Sequence, residues 1–357
     1  MKLQSIELHD FRSYEQRSFG FEPQGNLIIG PNGSGKTNLL EAIAYTSIGK
    51  SIRYHSDSDL MRQHSDGFVL NARYKTDLDS DLDVQLSFLG SRKILKINEV
   101  ISRQLSDLMS KVKVIYLAPD DIQLINGSPR IRRQYFDFAI SQLFPAYLAL
   151  LRGYLHVVDQ RNRLLKAEHN KSEKRSWDIR FIQALLALYP YRKKYLELLN
   201  EVLQTDFARI SDNARQIRIS YQPAFKDAFA QDQDSLLEYL ESIAPKELLW
   251  QRSMVGAHLD DYSFRISENG MQSFASQGQK RIAVIIVKLI QAKLVQETTN
   301  IVPILLFDDI FAELDAGHSQ RIRELASGSG QIFVAAPKED VAEIFSPMSI
   351  IRLGESG

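Results

Sequence analysis

One short segment constrains the fold of this chain more than any other stretch of the sequence. Its residues are Gly30, Pro31, Asn32, Gly33, Ser34, Gly35, Lys36 and Thr37. They fit the phosphate-binding pattern G-x-x-x-x-G-K-[ST], which needs a strand before it and a helix after it. Residues 26–29 form a short apolar run, and residues 38–45 carry apolar side chains at helical spacing. These flanks predict a strand, a glycine-rich loop and a helix around a nucleotide phosphate.

Each part of this phosphate loop has its own chemical task. Glycine lets backbone N–H groups close around phosphate oxygens, and the helix N-terminus adds a partial positive charge. We expect Lys36 to reach the β- and γ-phosphates and the Thr37 hydroxyl to bind Mg²⁺. The alternative is a glycine-rich turn with a surface lysine, which ordinary composition produces on the order of once in a hundred such chains. Nucleotide binding is the stronger interpretation.

Composition limits the remaining classes. A chain of 357 residues is expected to form two lobes rather than a single core. The absence of cysteine excludes disulfides and thiolate metal sites, and it fits a reducing cytoplasm. The N-terminus reaches Glu7 too soon for a signal peptide, and no apolar run is long enough to span a membrane. Because the net charge is +0, any nucleic-acid surface must be a local patch.

The N-terminal part is strand-rich. Residues 3–8 alternate apolar and polar side chains as a half-buried strand does, and a polar loop with Arg12 follows. Arg12 is either a solvated arginine or, because it precedes the phosphate loop by one strand pair, a phosphate contact. Four further runs predict strands: 68–74, 82–88, 94–97 and 112–117. The first three are expected to form an antiparallel sheet beside the nucleotide core.

The middle of the chain is helical and basic. From residue 130 to 203, apolar side chains recur at helical spacing, so amphipathic helices are expected to pack into a lobe. Within 152–194, eleven Lys and Arg stand against four Asp and Glu, and three arginines lie upstream: Arg130, Arg132 and Arg133. These cations are either a solvated helix surface or contacts to a phosphate backbone. The predicted division is head 1–128, helical lobe 129–250 and head 251–357.

Two further motifs lie downstream. The turn Ser276-Gln277-Gly278-Gln279 leads into an apolar helix. The apolar run 302–307 ends at Asp308 and Asp309, which predicts a buried parallel strand with carboxylates at its C-terminal end. That end faces the ligand crevice in nucleotide-binding folds, where an acid can hold Mg²⁺ against phosphates. The run 331–336 predicts a last core strand.

The order of these motifs resembles that of the ABC-type ATPase heads of the SMC and RecF group. The resemblance implies an α/β fold, in which an ABC-type ATPase head combines a mixed sheet around the phosphate loop with an antiparallel subdomain and an inserted α-helical lobe. In such heads the Ser-x-Gly-Gln turn opens a helix whose N-terminus binds the γ-phosphate held by a partner subunit. The resemblance therefore implies ATP and Mg²⁺ as cofactors and an ATP-dependent homodimer.

The resemblance also distributes roles among residues. One subunit would hold ATP with the phosphate loop and Arg12, and Mg²⁺ with Thr37 and Asp308. Its partner would cap the γ-phosphate with Ser276, Gly278 and Gln279. The plainer alternative is that Ser276 only caps its own helix. Asp309 stands where the group has a catalytic glutamate, and it would act as a base or orient the attacking water.

Within the group, the chain resembles the RecF family nearly end to end. The matching stretches are 9–12, 30–42, 117–121, 127–129 with Arg132 and Arg133, His258 with Asp260 and Asp261, 274–279, and 312–315. This resemblance implies a cytoplasmic bacterial ATPase of recombinational repair and replication-fork recovery that supports the SOS response. It implies single-stranded or gapped DNA, RecO and RecR as partners, and no membrane.

Some positions depart from the family pattern. Ala257 and Leu259 replace the usual proline and arginine around His258, and Ala-Ala-Pro at 335–337 replaces a threonine-rich segment. Asp309 is one methylene shorter than glutamate, so we expect slow ATP hydrolysis. An ATPase subunit of another machine and a scaffold that binds ATP without hydrolysing it stay open. A GTPase is disfavoured because residues 170–173 lack the aspartate that reads guanine.

Overall fold

The computed structural model describes residues 1–52, 56–77, 80–167, 170–211, 215–225 and 232–354. The chain divides into two compact units. The first comprises Met1–Asp121, Asp206–Asn213 and Arg281–Gly357, and the second comprises Ile122–Thr205 and Ala214–Lys280. The predicted lobe 129–250 lies in the second unit except for residues 206–213. Its separation from the head as a functional division stays a prediction. Glu168, one of the four acids of 152–194, lies outside the described residues.

Both units contain strands and helices. The strands are β1 (Lys2–Phe11), β2 (Tyr14–Gly20), β3 (Gly25–Ile29), β4 (Gly67–Lys75), β5 (Asp81–Leu89), β6 (Arg92–Ile97), β7 (Val100–Ser102), β8 (Val114–Leu117), β9 (Ile217–Gln222), β10 (Asp261–Ile266), β11 (Asn269–Gly270), β12 (Ile304–Asp308), β13 (Ile332–Ala336) and β14 (Ser349–Arg352). The helices are α1 (Lys36–Ile48), α2 (Leu105–Met109), α3 (Gln123–Asn126), α4 (Pro129–Leu143), α5 (Pro145–Lys166), α6 (Lys171–Ile210), α7 (Gln233–Trp250), α8 (Met271–Phe274), α9 (Gln277–Thr299), α10 (Ala316–Ala326) and α11 (Asp340–Ile344).

A parallel sheet in the first unit positions the phosphate loop. Its strand order is β14–β3–β13–β12–β8. Strands β3 and β12 are buried along their whole length, as continuous apolar runs in a parallel sheet should be. Phe307 pairs with Leu117, and Asp308 pairs with Ala335. The carboxyl ends of these strands therefore meet at one edge, and the parallel strand predicted from 302–307 is confirmed.

An antiparallel sheet in the same unit has the order β2–β1–β4–β5–β6–β7. It confirms the antiparallel sheet predicted from the alternating runs. Strand β1 continues further than predicted, because Phe11 already pairs with Tyr14. The predicted polar loop is therefore reduced to a tight turn of Arg12 and Ser13, in which Arg12 has a φ of 54°.

The second unit carries the long helices and a small antiparallel sheet. Helices α4, α5 and α6 confirm the helical character predicted for 130–203. The sheet has the order β11–β10–β9, and the Phe136 ring of α4 stacks on Tyr262 of β10 at 3.9 Å between centroids. Among the strands that the sequence analysis missed, β9 lies inside the predicted helical lobe, and β2, β7 and β14 belong to the first unit.

Candidate nucleotide-binding site

The phosphate loop lies between β3 and α1 in the predicted order. Gly33 and Gly35 have φ values of 85° and 100°, a left-handed conformation that strains any residue with a Cβ atom. A Cβ at Gly35 would also lie 2.7 Å from the Tyr14 hydroxyl. Helix α1 starts at Lys36 without a side-chain cap and without an acid in its first turn. Its first N–H groups are therefore available to an anion.

Lys36 is buried but has only neutral partners. Its Nζ donates to the carbonyl oxygens of Gly30 at 2.8 Å and Pro31 at 3.1 Å. Only 4% of the residue is exposed, and in the described part of the chain it forms no ion pair. The Ser34 hydroxyl is likewise buried without a hydrogen-bond partner among the described residues. A buried cation and an orphaned hydroxyl in one loop fit an anionic ligand.

Thr37 and Asp308 lie together at the carboxyl edge of the parallel sheet. The Thr37 hydroxyl donates to Asp308 Oδ1 at 2.9 Å, and Tyr116 of β8 donates its hydroxyl to Asp308 Oδ2 at 2.6 Å. Hydroxyl and carboxylate oxygens are the ligands that Mg²⁺ takes in nucleotide sites, so the donor set fits this ion. Tyr116 was missed by the sequence analysis, because only the strand order shows that β8 is the neighbour of β12.

Asp309 follows Asp308 directly and combines a left-handed backbone with a partly buried carboxyl group. Its φ is 52°, and its Oδ1 is buried without a hydrogen-bond partner in the described residues. Burial raises the pKa of the Asp309 carboxyl, the charge of Asp308 raises it further, and Lys36 partly opposes the shift. A carboxylate with a raised pKa is a better proton acceptor, which fits the predicted role in hydrolysis.

Arg12 lies near the loop but is held by protein groups. Its Nη1 donates to the Asp59 carbonyl at 2.6 Å, and its Nε lies 3.5 Å from the fully buried carboxylate of Glu41. The residues after Arg12 contact the loop and the helix that follows it. Tyr14 donates to the Gly35 carbonyl at 3.1 Å, and Ser13 accepts from Asn38 of α1 at 2.8 Å. A phosphate contact for Arg12 therefore stays a prediction that requires its guanidinium to exchange partners.

The Ala-Ala-Pro segment lies at the same edge. The Ala335 carbonyl accepts from the Asp309 N–H at 3.2 Å, and the Ala336 carbonyl accepts from the Gly30 N–H at 3.4 Å. The segment thus ties the loop to the acidic strand through its backbone. Its side chains offer no polar group to a γ-phosphate.

The Ser276–Gln279 turn, in the second unit, forms a reciprocal helix cap. The Ser276 N–H donates to Gln279 Oε1 at 3.0 Å, and the Gln279 N–H donates to Ser276 Oγ at 3.2 Å. This capping box satisfies two of the groups at the start of α9. The turn is exposed, and no heavy atom lies within 4 Å of a Cβ built on Gly278. Ser276 therefore caps its own helix, and a γ-phosphate role for Ser276, Gly278 and Gln279 stays a prediction.

The predicted basic patch is smaller than its composition suggested. Arg161 and Arg192 are fully buried, and Lys174 pairs with Asp178. Upstream, Arg132 donates to both Asp261 oxygens, and Arg133 donates to the Asp260 carbonyl. Burial removes Arg132, Arg161 and Arg192 from the predicted phosphate contacts. Contacts by the half-buried Arg133 and Lys174 stay a prediction. The exposed remainder of 152–194 is Arg152, Arg163, Lys166, Lys171, Arg175, Arg180, Lys193 and Lys194.

The chain is similar to known proteins over nearly its whole length. A family model described as the RecF/RecN/SMC N terminal domain matches residues 2–354. The DNA replication and repair protein RecF of Bacillus cytotoxicus is 31% identical over 350 residues, covering 96% of this chain and 94% of that protein. That of Lactobacillus johnsonii is 33% identical over 349 residues, covering 94% of this chain and 92% of that protein. This chain belongs to the RecF family.

Solved structures agree with the fold. The recombination mediator protein RecF-ATPrS of the RecFOR pathway superposes with a TM-score of 0.86 at 25% identity, covering 95% of this chain and 93% of that one. An Smc head bound to the C-winged helix domain of ScpA superposes with a TM-score of 0.56 at 16% identity, covering 100% and 95%. The ABC-type head predicted from the motif order is therefore confirmed. None of the described helices combines the length and apolar character needed to cross a membrane.

Proposed function

We propose that this chain is an ATP-dependent DNA-binding protein of bacterial recombinational repair and replication-fork recovery, acting in the cytoplasm and supporting the SOS response. Its relatives are named DNA replication and repair proteins, and a solved relative is named a recombination mediator of the RecFOR pathway. RecO and RecR are accordingly the proposed partners, at single-stranded or gapped DNA. The observation that carries the proposal is the buried arrangement of Lys36, Thr37 and Asp308.

ATP is the proposed nucleotide. Residues 30–37 would surround its phosphates with the first N–H groups of α1, while Lys36 exchanges two neutral carbonyl oxygens for charged phosphate oxygens. Thr37 and Asp308 would hold Mg²⁺, which neutralises phosphate charge when bound. Among the described residues, no group of three or more His, Cys, Asp or Glu could hold a metal by itself. The ion would therefore be shared with the nucleotide.

A homodimer closed around ATP is the proposed active form. The exposed turn of a second copy would present Ser276, Gly278 and Gln279 to the γ-phosphate. In the capping box, the Ser276 hydroxyl and the Gln279 amide are held in place beside the first N–H groups of α9, which favour an anion. Nucleotide chemistry would belong to 1–128 and 251–357, and DNA contact to 129–250.

Slow hydrolysis is proposed as the timer of this dimer. Asp309 would accept the proton of the attacking water, or orient it, once the interface excludes bulk solvent. Its short side chain and the apolar Ala335 and Ala336 leave little further support for the reaction. Such turnover suits release from DNA rather than continuous movement. Measuring ATP hydrolysis with and without DNA separates this enzyme from a scaffold that binds ATP without hydrolysing it.

Sedimentation with ATP and gapped duplex DNA tests the proposal. The wild-type protein should become a dimer, Ser276→Arg should bind ATP but stay a monomer, and Asp309→Asn should accumulate the dimer. Asp232→Ala is the matched control, because it removes the side-chain cap of α7 at a comparable loss of helix stability. A wild-type protein that stays monomeric at saturating ATP and DNA contradicts the dimer.

A further inference from the structure

Three helix ends converge on one buried arginine in the second unit. Arg161, five residues before the end of α5, donates to Asp178 of α6 at 2.7 Å and to Glu247 of α7 at 2.5 Å. It also donates to the Ser253 hydroxyl at 2.9 Å. Asp178 lies near the beginning of α6 and Glu247 near the end of α7. The end of α5, the beginning of α6 and the end of α7 are therefore held together at one end of the helical bundle.

Both tryptophans of the chain lie at this bundle end. Trp177 is the neighbour of Asp178, and Trp250 is the last residue of α7, three positions after Glu247. Each indole has an arginine guanidinium over its ring: Arg180 at 5.0 Å from Trp177 and Arg252 at 5.8 Å from Trp250. Trp250 is 60% exposed and the adjacent Leu249 is 78% exposed. Large apolar side chains exposed side by side mark a contact surface rather than a core.

The charge around these indoles is positive. In the described residues of 159–167, 170–181 and 243–254, five exposed cations have no acidic partner: Lys166, Lys171, Arg180, Lys246 and Arg252. Two more exposed arginines are paired, Arg163 with Asp159 and Arg175 with Glu241. Glu173 is the remaining exposed acid of these segments in the described residues. The partner of this surface must therefore carry negative charge and a flat apolar face.

We propose that this bundle end, formed by Trp177, Leu249, Trp250 and the five unpaired cations, binds single-stranded DNA. Unpaired bases supply flat faces that stack on the exposed indole of Trp250, with the half-buried Trp177 beside Arg180 as a second ring, and their phosphates supply the charge that Lys and Arg neutralise. Duplex DNA supplies the phosphates alone, because its bases are already stacked on one another. An acidic protein segment is the alternative occupant, and binding of an oligonucleotide separates the two. The inference rests on the proposed function and adds to it the residues that would bind the unpaired strand.

Intrinsic fluorescence tests the inference directly, because the chain has only 2 tryptophans. Titration with an oligo(dT) strand, which cannot form a duplex, should quench the wild-type emission. Trp177→Phe should keep most of this quenching because Trp250 remains, and Trp250→Phe should lose most of it. By a labelled-strand assay, Trp250→Ala should bind oligo(dT) about tenfold more weakly, the loss expected for one base–aromatic stack. Lys246→Gln should lower the log–log salt slope by about 0.7.

The controls separate this inference from a folding defect and from the proposed function. Leu155→Ala, which truncates an exposed residue of α5 before Arg161, should bind oligo(dT) like the wild type. Trp250→Ala should keep the wild-type unfolding midpoint and ATP-dependent duplex binding. Unchanged oligo(dT) affinity in Trp250→Ala, or duplex binding without any oligo(dT) binding, overturns this inference alone and assigns the surface to a protein partner. A wild-type protein that binds neither DNA form overturns both proposals.

Discussion

Two of the regions in which the chain buries cations differ in the partners of those cations. In the phosphate loop, Lys36 has two neutral carbonyl partners and, in the described part of the chain, no ion pair. In the second unit, Arg161 and Arg192 each meet two carboxylates. These are Asp178 and Glu247 for Arg161, and Asp137 and Asp260 for Arg192. Breaking a buried ion pair strands its remaining charge at a high cost, whereas the charge of Lys36 faces neutral oxygens that a phosphate can replace.

The arginine region should show the largest effect on stability. Arg192→Met removes a guanidinium that donates to Asp137, Asp260, Tyr147 and the Ala257 carbonyl. Because the buried Asp260 carboxylate and the half-buried Asp137 carboxylate lose their cation, we expect a loss of about 3–5 kcal/mol in the free energy of unfolding. Denaturant unfolding measures it, with exposed Arg152→Met as the control, expected within about 0.5 kcal/mol of the wild type. An equal, small effect of both variants would remove the contrast with Lys36.

For Lys36 we expect the opposite result, with little change in stability and a large loss of ATP affinity. Lys36→Met keeps the buried stem and removes a charge that has no carboxylate partner, so the unfolding midpoint without ATP should change little. Loss of the charged contacts to phosphate, about 1.5–3 kcal/mol each, should weaken ATP binding by roughly a hundredfold or more. Titration calorimetry with Mg²⁺ and ATP measures it. Unchanged ATP affinity would count decisively against the phosphate loop as the nucleotide site.

Sequence reasoning found the nucleotide region because its signals are local. The glycine spacing, the apolar run of β3 and the acids at the end of β12 can each be read within a few residues, and the structure places the Thr37 hydroxyl, next to Lys36 in the chain, against Asp308. The arginine region could not be read in this way. Arg161 and Arg192 stand in runs of exposed cations, and only the packing of three helices shows that acids from distant segments surround them.

The arginine region should also make the second unit sensitive to acid. His258 bonds to the Tyr154 hydroxyl at 2.8 Å, and burial lowers its pKa to about 4, helped by the charges of Arg133, Arg161 and Arg192. A histidine with a depressed pKa contributes stability that is fully present above its unfolded value of about 6.5 and is lost as the pH falls toward 4. The unfolding midpoint should therefore drop between pH 7 and pH 5.

His258→Asn removes the titrating group from this environment. Its unfolding midpoint should be lower than that of the wild type at pH 7 and should fall less between pH 7 and pH 5. Exposed His156 provides the control, because His156→Asn should leave the pH dependence of the wild type unchanged. If the wild-type and His258→Asn profiles run parallel, another group is responsible for the acid sensitivity.

The smallest expected effect concerns the Tyr116 hydroxyl, through which β8 contacts the Asp308 carboxylate of β12. Tyr116 and Thr37 donate to different oxygens of Asp308, so Tyr116 fixes the carboxylate in the orientation that meets Thr37. Tyr116→Phe removes one hydrogen bond to a charged acceptor, worth roughly 1.5–3 kcal/mol. We expect part of this energy to be lost from Mg²⁺ binding. The Mg²⁺ concentration that gives half-maximal ATP binding should therefore rise severalfold, while ATP binding at saturating Mg²⁺ stays near wild type.

Tyr262→Phe is the matched control, because it removes a buried hydroxyl that has no hydrogen-bond partner among the described residues. It should leave the Mg²⁺ requirement unchanged. A purely structural role for Tyr116 would instead lower the unfolding midpoint without moving the Mg²⁺ requirement. That result would mean that Thr37 and the sheet orient Asp308 without help from Tyr116.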